Sequence, residues 1–147
     1  MIVYAKCIRT SQIAHSHEEF IERQNEEYTV YCVGETSVAK ENGGDLYCVP
    51  LNYIYCCLRY GYNIAIIDVP NDLSSYPTET ESTFNRSKIA MREQKVLKII
   101  RADSKEAVDF LADTIPNHRC IVKSSYPSAW LSDEFNHYFD SKIPNHI

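Results

Sequence analysis

Glu79 and Glu81 form the carboxylate pair in this 147-residue chain whose spacing best suits acid chemistry. They lie two residues apart, and alternate residues of an extended chain point to the same side. Both belong to a long connection, residues 71–86, which is rich in Ser, Thr, Asn, Asp, Glu and Pro. Long connections in compact domains are often functional. An ordinary solvated loop is the favoured interpretation of these residues, and a functional carboxylate pair is the alternative.

Two further side chains are suited to an anionic or planar ligand. Arg9 ends an apolar run that predicts a first strand, and its planar guanidinium can donate two hydrogen bonds to a pyrophosphate. Tyr47 follows the turn at residues 43–44, and its ring can stack on a planar group of a ligand. We expect one cleft to hold both side chains, with the 71–86 connection as its lid.

A cluster of histidines near the N-terminus has the residue types of a metal site. His15, His17 and Glu18 could act as ligands, but no second ligand cluster follows at a suitable spacing. Ser16 and Glu19 have the spacing of a capping box, which predicts a polar helix start instead. We therefore predict no metal site.

Nucleophilic catalysis is not indicated by the sequence. It contains no G-x-S-x-G elbow, P-loop, H-E-x-x-H motif or dinucleotide-binding glycine pattern. Cys7 and His118 could be combined into a nucleophile and base, but Cys7 lies in an apolar strand, where thiols are usually inert. Packing is the favoured role of this cysteine.

Residues 43–70 contain the elements that must position Tyr47. The turn at residues 43–44 precedes a short strand at 46–49, and Pro50 can begin a helix because it needs no N–H there. The helix presents an apolar stripe of Leu51, Ile54, Tyr55 and Leu58. Gly61 ends it, and residues 62–69 then form a buried strand.

The rest of the chain mixes strands and helices without a regular βαβ order, which favours an α+β fold. We predict one domain, residues 1–147, with a frayed tail at 141–147 and a central, partly split sheet, mixed or antiparallel, flanked by helices. The other predicted elements are strands at 2–9, 28–33, 88–91, 95–101 and 119–123, a loop at 34–44, and helices at 17–25, after the Asp103–Glu106 cap and from Pro127.

Composition restricts the partners and the compartment. The net charge of −5 argues against nucleic acid, whose binders usually carry a basic face. No run of about 18 apolar residues could span a bilayer, and the N-terminus lacks the pattern of a signal peptide. Most of the six cysteines lie in apolar runs, as reduced core cysteines do. We therefore expect a cytoplasmic protein with no membrane association and with a protein as its main partner.

The central unit resembles small ADP-ribosyltransferase-like domains, and it is similar to domains of some giant-virus repeat proteins and uncharacterised phage proteins. The similarity covers residues 43–101. It rests on the glycine and strand at 44–48, on the strand that ends at 66–70, and on residues 87–97, which are similar to the closing strand of the transferases. Arg9 with Thr10 is similar to the NAD-contacting arginine motif of the toxin-like branch.

The resemblance implies an ADP-ribosyltransferase-like fold and a cleft in which Arg9, Thr10 and Tyr47 bind NAD. In the catalytic families the closing strand begins with a glutamate, and this chain has Ser87 there. A serine cannot supply the negative charge that stabilises an oxocarbenium-like ribose. We therefore expect a small non-catalytic accessory protein, of viral or mobile-element type, in the host cytoplasm if viral, that binds a macromolecular partner or a nucleotide and has no cofactor. The alternative is an NAD-dependent mono-ADP-ribosyltransferase that uses Glu79 or Glu81 as its catalytic carboxylate.

Overall fold

A six-stranded antiparallel sheet forms the centre of the protein. The computed structural model describes residues 3–41, 43–70, 88–110, 112 and 132–143. The strands lie in the order β2-β6-β4-β1-β3-β5. Their bounds are β1 Tyr4–Ile8, β2 Thr36–Val38, β3 Leu46–Pro50, β4 Asn63–Asp68, β5 Ile89–Met91 and β6 Glu93–Arg101.

Short helices complete the α+β fold that the sequence predicts. The α-helices are α1 His17–Glu22, α2 Lys105–Phe110 and α3 Asp133–Lys142, and the 3₁₀ helices are Thr10–Gln12, Arg23–Asn25 and Leu51–Tyr60. None of the helices in the described ranges is long and apolar enough to cross a membrane.

Both faces of the sheet are covered by apolar side chains. Successive residues of a strand point to opposite faces, so β1 contributes to two clusters. Ala5 and Cys7 join the cluster beneath the 3₁₀ helix, α2 and α3, together with Leu58 and Phe139. Tyr4 and Ile8 join the other cluster, which contains the buried ring of Tyr31. The sheet is therefore an interior layer, and β1 can reach groups on either side.

The sheet is partly split between β1 and β3. These strands pair only at Tyr4 with Pro50 and at Ala5 with Val49, although each strand has five residues. Beyond these pairs, β1 continues along β4 as far as Ile8, whereas β3 pairs with β5 on its other side. The predicted split in a central sheet thus corresponds to the diverging ends of β1 and β3.

Segment 28–33 is not the predicted strand, and segment 34–44 is not wholly a loop. Residues 28–33 make only two isolated parallel bridges, one of them from Tyr31 to Ile13. The Tyr31 side chain packs against the sheet, and this packing uses the apolar character that suggested a strand. The more polar β2 pairs along β6 as an edge strand, with Ser37 buried and donating its hydroxyl to the Val30 carbonyl at 2.6 Å.

Helix type and helix cap differ from the sequence predictions at two places. Leu51–Tyr60 is a 3₁₀ helix, so Cys57 joins Ile54 and Leu58 among its buried residues. The start of α2 is capped by Ser104, whose Oγ accepts from the Ala107 N–H at 3.1 Å, rather than by Asp103. The last helix begins at Asp133 after its cap, Ser132.

The end of α3 packs into the core. The helix continues through Lys142, and Ile143 is fully buried in the cluster beneath the sheet. The helix thus includes the first two residues of the segment 141–147 that is expected to fray, and residues 144–147 lie outside the described residues. The predicted strand at 119–123 and the predicted helix start at Pro127 lie outside the described residues.

Candidate functional site

A cavity of about 570 Å³ lies at the split between β1 and β3. Its walls include residues 5–9, from β1 and the residue after it, and residues 45–49, from β3 and the residue before it. These are the segments in which the two strands diverge, so the missing strand pairing leaves the space. Its size lies within the range of ordinary small-molecule sites.

The described residues that line the cavity carry four cationic side chains and one carboxylate. The cations are Lys6, Arg9, Arg59 and Lys88, and the carboxylate of Asp45 lies 3.2 Å from Arg92 in an ion pair. No described carboxylate lies within ion-pair distance of Lys6, Arg9 or Lys88. This local excess of positive charge contrasts with the net charge of −5 on the whole chain. The cavity is therefore suited to an anionic ligand.

Three tyrosines add aromatic surface to the same cavity: Tyr31, Tyr47 and Tyr60. Tyr47 is 41% exposed on β3, and the Lys88 ammonium lies 4.1 Å from the centre of its ring. The Arg59 guanidinium lies 5.0 Å from the Tyr60 ring and donates to its hydroxyl at 3.0 Å. The cavity thus combines cations with aromatic rings, a pairing that suits a ligand with both negative charge and a planar group.

Arg9 and Tyr47 line the same cavity, as the sequence predicts. Arg9 follows the last residue of β1, and its backbone N–H donates to Gln12 Oε1 at 3.0 Å, which fixes the turn after the strand. Its guanidinium lies 6.0 Å from the centre of the Tyr28 ring. Thr10 is exposed and is not among the lining residues, and its hydroxyl accepts from Asn63 Nδ2 at 3.0 Å. Thr10 therefore anchors the turn against β4.

The predicted catalytic carboxylates, Glu79 and Glu81, lie outside the described residues, as does Ser87. His118 also lies outside them. Cys7 is buried, and burial raises its pKa well above the usual value, with neighbouring Cys57 adding to the shift. A neutral, buried thiol is a weak nucleophile, so the structure agrees with a packing role for Cys7.

Lys6 is a half-buried cation in the wall of the cavity. Its ammonium donates to the Tyr31 hydroxyl at 2.6 Å and to Gln94 Oε1 at 3.0 Å. Burial lowers the pKa of Lys6 to about 8, and the thiols of Cys48, Cys57 and Cys7 act weakly in the opposite direction. The fraction of Lys6 present as the neutral amine near neutral pH is therefore much larger than that of an ordinary lysine.

The lowered pKa of Lys6 predicts a stability that rises with pH. Above pH 8 the folded protein loses the Lys6 proton, whereas the unfolded chain keeps it up to pH 10.5. The unfolded chain then holds more protons, so raising the pH across this window favours folding by up to about 3 kcal/mol. Urea denaturation of the wild type and of Lys6→Met measures the unfolding free energy of each protein from pH 7 to 10. The value for the wild type minus the value for Lys6→Met should increase as the pH is raised.

Other titrating groups in the cavity do not obscure this measurement. Burial raises the pKa of Cys7, Cys48 and Tyr31, so these groups destabilise the fold at high pH in both proteins. Lys6→Met also removes the hydrogen bonds to Gln94 and Tyr31, which offsets the whole curve. It removes the Lys6 charge as well, which lowers the pKa of Cys7 and Cys48, so its loss reinforces the expected change in favour of the wild type. Parallel curves for the two proteins would show that the Lys6 pKa is not lowered.

Sequence reasoning missed Lys6, Arg59 and Lys88 as cavity residues. Two signals were available. A lysine in the otherwise apolar run of β1 is unusual, because lysines are seldom buried. Arg59 and Tyr60 directly precede Gly61, whose backbone contacts the end of β1. Lys88 carries no comparable local signal, since it follows a long polar connection.

The histidine cluster near the N-terminus, His15, His17 and Glu18, does not belong to a group of metal-ligating side chains in the described part of the chain. No group of three or more His, Cys, Asp or Glu side chains that could hold a metal ion occurs there. His17 Nδ1 lies 2.6 Å from Glu35 Oε1 at the surface, and Ser16 caps α1 by accepting from the Glu19 N–H at 3.1 Å. These contacts give the histidine cluster a structural role at the start of α1.

Comparisons with models of protein families, with curated proteins and with solved structures give no match to this chain.

Proposed function

We propose that this protein is a non-catalytic binding protein whose cavity takes a small anionic ligand with a planar ring, of the nucleotide class. The observation that carries the proposal is the set of four cationic side chains around one cavity in a chain of net charge −5. The lining tyrosines supply a surface for the planar ring, and Arg9 and Lys88 have no described carboxylate as a competing partner. A nucleotide has both of the complementary features.

Two of the four cations, Arg9 and Lys88, have distinct tasks in this proposal. Arg9 can donate two parallel hydrogen bonds to a phosphate, and its backbone is fixed by Gln12 before any ligand arrives. Lys88 is a point charge above one face of Tyr47, so a base can stack on the part of the ring that stays exposed. Attraction between these cations and a phosphate weakens with salt because the cavity opens to solvent.

Calorimetric titration with ADP tests the proposal. We expect the wild type to bind, and Lys88→Ala to weaken binding by roughly 10-fold, as loss of a hydrogen bond to a charged group does. Arg9→Lys keeps the charge but loses the two-pronged hydrogen bond, so it should also weaken binding. Lys95→Ala is the matched control, because Lys95 is exposed on β6, two strands away from the cavity wall formed by β1.

Two outcomes would contradict a nucleotide cavity. One is the absence of binding by both ADP and inorganic pyrophosphate. The other is an equal loss of affinity in Lys88→Ala and Lys95→Ala, which would indicate unspecific attraction to positive charge. The sequence also predicts a macromolecular partner, most simply a protein, and this stays a prediction. It would be favoured if a pull-down captures one partner while ADP fails to bind.

The alternative function is an NAD-dependent mono-ADP-ribosyltransferase, and the shared cavity of Arg9 and Tyr47 is the observation in its favour. The reaction needs a carboxylate beside the ribose, and among the described lining residues only Asp45 has one, which is paired with Arg92. Glu79 or Glu81 would have to supply it. Incubation with labelled NAD and a cell lysate decides between the functions, since label transfer that disappears in Glu79→Ala/Glu81→Ala would establish the enzyme.

A further inference from the structure

Lys6 is placed like a reactive amine rather than like a structural cation. It lies in β1 with its side chain half-buried, and its two hydrogen-bond partners, Tyr31 and Gln94, are both uncharged. No described carboxylate pairs with it. A lysine in such surroundings usually has an acidic partner, because an unpaired buried charge is unfavourable. The surroundings of Lys6 therefore favour its neutral form.

A neutral lysine is a nucleophile toward carbonyl groups. With its pKa lowered to about 8 by burial, about a tenth of Lys6 is neutral at pH 7, compared with less than about a thousandth of an ordinary lysine. Lys6 and its partner Tyr31 are also both among the residues that line the cavity. A reactive amine thus lies in the wall of a cavity.

We propose that Lys6 captures an aldehyde or ketone that carries an anionic group, as a reversible imine inside the cavity. The choice of ligand class rests on the proposed function, because Arg9 and Lys88 would hold the anionic group while the carbonyl carbon reaches Lys6. The aromatic surface of the cavity favours a carbonyl compound with a planar ring.

The chemical step balances without an oxidant or a reductant. The Lys6 Nζ lone pair attacks the carbonyl carbon, a C–N bond forms, and the C=O electron pair moves to oxygen. A proton passes from nitrogen to that oxygen, which gives a carbinolamine. The hydroxyl, protonated by the Tyr31 hydroxyl, then leaves as water while the nitrogen lone pair forms the C=N bond, and the iminium nitrogen returns its remaining proton to Tyr31. The net change is amine and carbonyl to imine and water.

Tyr31 is placed to move the protons in this step. Its hydroxyl lies 2.6 Å from Lys6 Nζ, so it can accept a proton from nitrogen and donate its own to the carbinolamine oxygen. Burial raises the pKa of Tyr31, so the hydroxyl keeps its proton at neutral pH. Gln94 is fully buried and holds the amine through its Oε1 at 3.0 Å. Tyr31 and Gln94 therefore orient the amine and supply the proton relay.

The neighbouring thiols do not compete with Lys6 for the carbonyl group. Burial raises the pKa of Cys7 well above its usual value and that of Cys48 to about 12. Both remain protonated near neutral pH, and the thiolate is the reactive form of cysteine. Reaction in the cavity is therefore directed to the amine.

Reductive trapping tests the inference. The full chain is incubated with pyridoxal 5′-phosphate, which combines an aldehyde, a planar ring and a phosphate, and borohydride then reduces any imine to a stable amine. Peptide mass spectrometry should find the label on Lys6 at least about tenfold more often than on exposed Lys95, because Lys6 has the larger neutral fraction. ADP should compete with the label at Lys6 and leave Lys95 unaffected.

Two comparisons separate this inference from the proposed function. Pyridoxal, which lacks the phosphate, should label Lys6 far less; equal labelling by both probes would retain the imine and contradict the preference for anions. ADP binding without preferential labelling of Lys6 would overturn the imine and retain the nucleotide cavity. Lys6→Arg should abolish the label at position 6, with Lys95→Arg as its control. Because the site comparison and the ADP competition use the wild type, the test stands even if Lys6→Arg does not fold.

Discussion

Gly61→Ala is expected to lower the free energy of unfolding by about 3 kcal/mol or more, because the new methyl group has no space. A Cβ at Gly61 would lie 2.2 Å from the carbonyl carbon and oxygen of Ile8 and 2.6 Å from the backbone nitrogen of Arg9. These are backbone atoms, and Ile8 belongs to an interior strand paired with Asn63. They cannot move away without disturbing the sheet and the cavity wall. Urea denaturation of the variant measures the loss.

Gly44→Ala is the matched control for this substitution. A Cβ at Gly44 meets no atom within 4 Å, so the unfolding free energy should stay within about 0.5 kcal/mol of the wild type. If Gly61→Ala were as stable as Gly44→Ala, the close approach of the 3₁₀ helix end to β1 would be wrong. The position of Arg9 beside the cavity would then lose its structural support.

Leu58→Ala and Ile66→Ala are each expected to lower the unfolding free energy by about 2–5 kcal/mol, the range for a large aliphatic residue truncated in a core. Leu58 is 3% exposed in the 3₁₀ helix, and Ile66 is 9% exposed on β4. Both belong to the cluster beneath the sheet, where the helix and the strand pack against each other. Each truncation would leave a cavity that the surrounding sheet cannot close.

Leu97→Ala serves as the control for these truncations. Leu97 is 50% exposed on β6, so the same chemical change should cost less than about 1 kcal/mol. Melting temperatures of Leu58→Ala or Ile66→Ala as close to the wild type as that of Leu97→Ala would contradict the packing of the central unit.

The central unit could be predicted from sequence because each of its boundaries has a local cause. Pro50 precedes the helix, Gly61 follows it, and the apolar run after Gly61 becomes β4. The helix type could not be predicted in the same way. Leu51 and Ile54 lie three residues apart, a spacing that suits both 3.0 and 3.6 residues per turn. Contacts with β1, which comes from a distant part of the sequence, accompany the tighter form.

The strand prediction at residues 28–33 failed for a related reason. Apolar and aromatic residues favour strands chiefly because they fit a half-buried surface. Tyr31 fills such a surface by packing onto the sheet instead of pairing within it. The apolar composition of the segment therefore indicates burial, and it does not indicate strand pairing. β2 shows the reverse, since the polar Thr36–Val38 segment pairs at the edge of the sheet.

The cavity was only partly predictable because its chemistry depends on distant residues. Arg9 and Tyr47 were identifiable from the residue types at the ends of predicted elements. The state of Lys6 depends on Tyr31, 25 residues away, and on Gln94, 88 residues away. Local patterns do not indicate that such side chains meet. The excess of positive charge around the cavity is likewise hidden by a net charge of −5.

Mapping of ADP onto the protein by amide chemical shifts in NMR tests the central claim most directly. The account predicts that a titration shifts the amides of residues 5–9, of residues 45–49 and of Lys88, and that Lys88→Ala reduces these shifts at equal ADP concentration. Amides of β2, at the far edge of the sheet, should stay unchanged. The account is contradicted if ADP shifts no amides, or if the shifted amides cluster on β2 and β6 while those beside the cavity remain still.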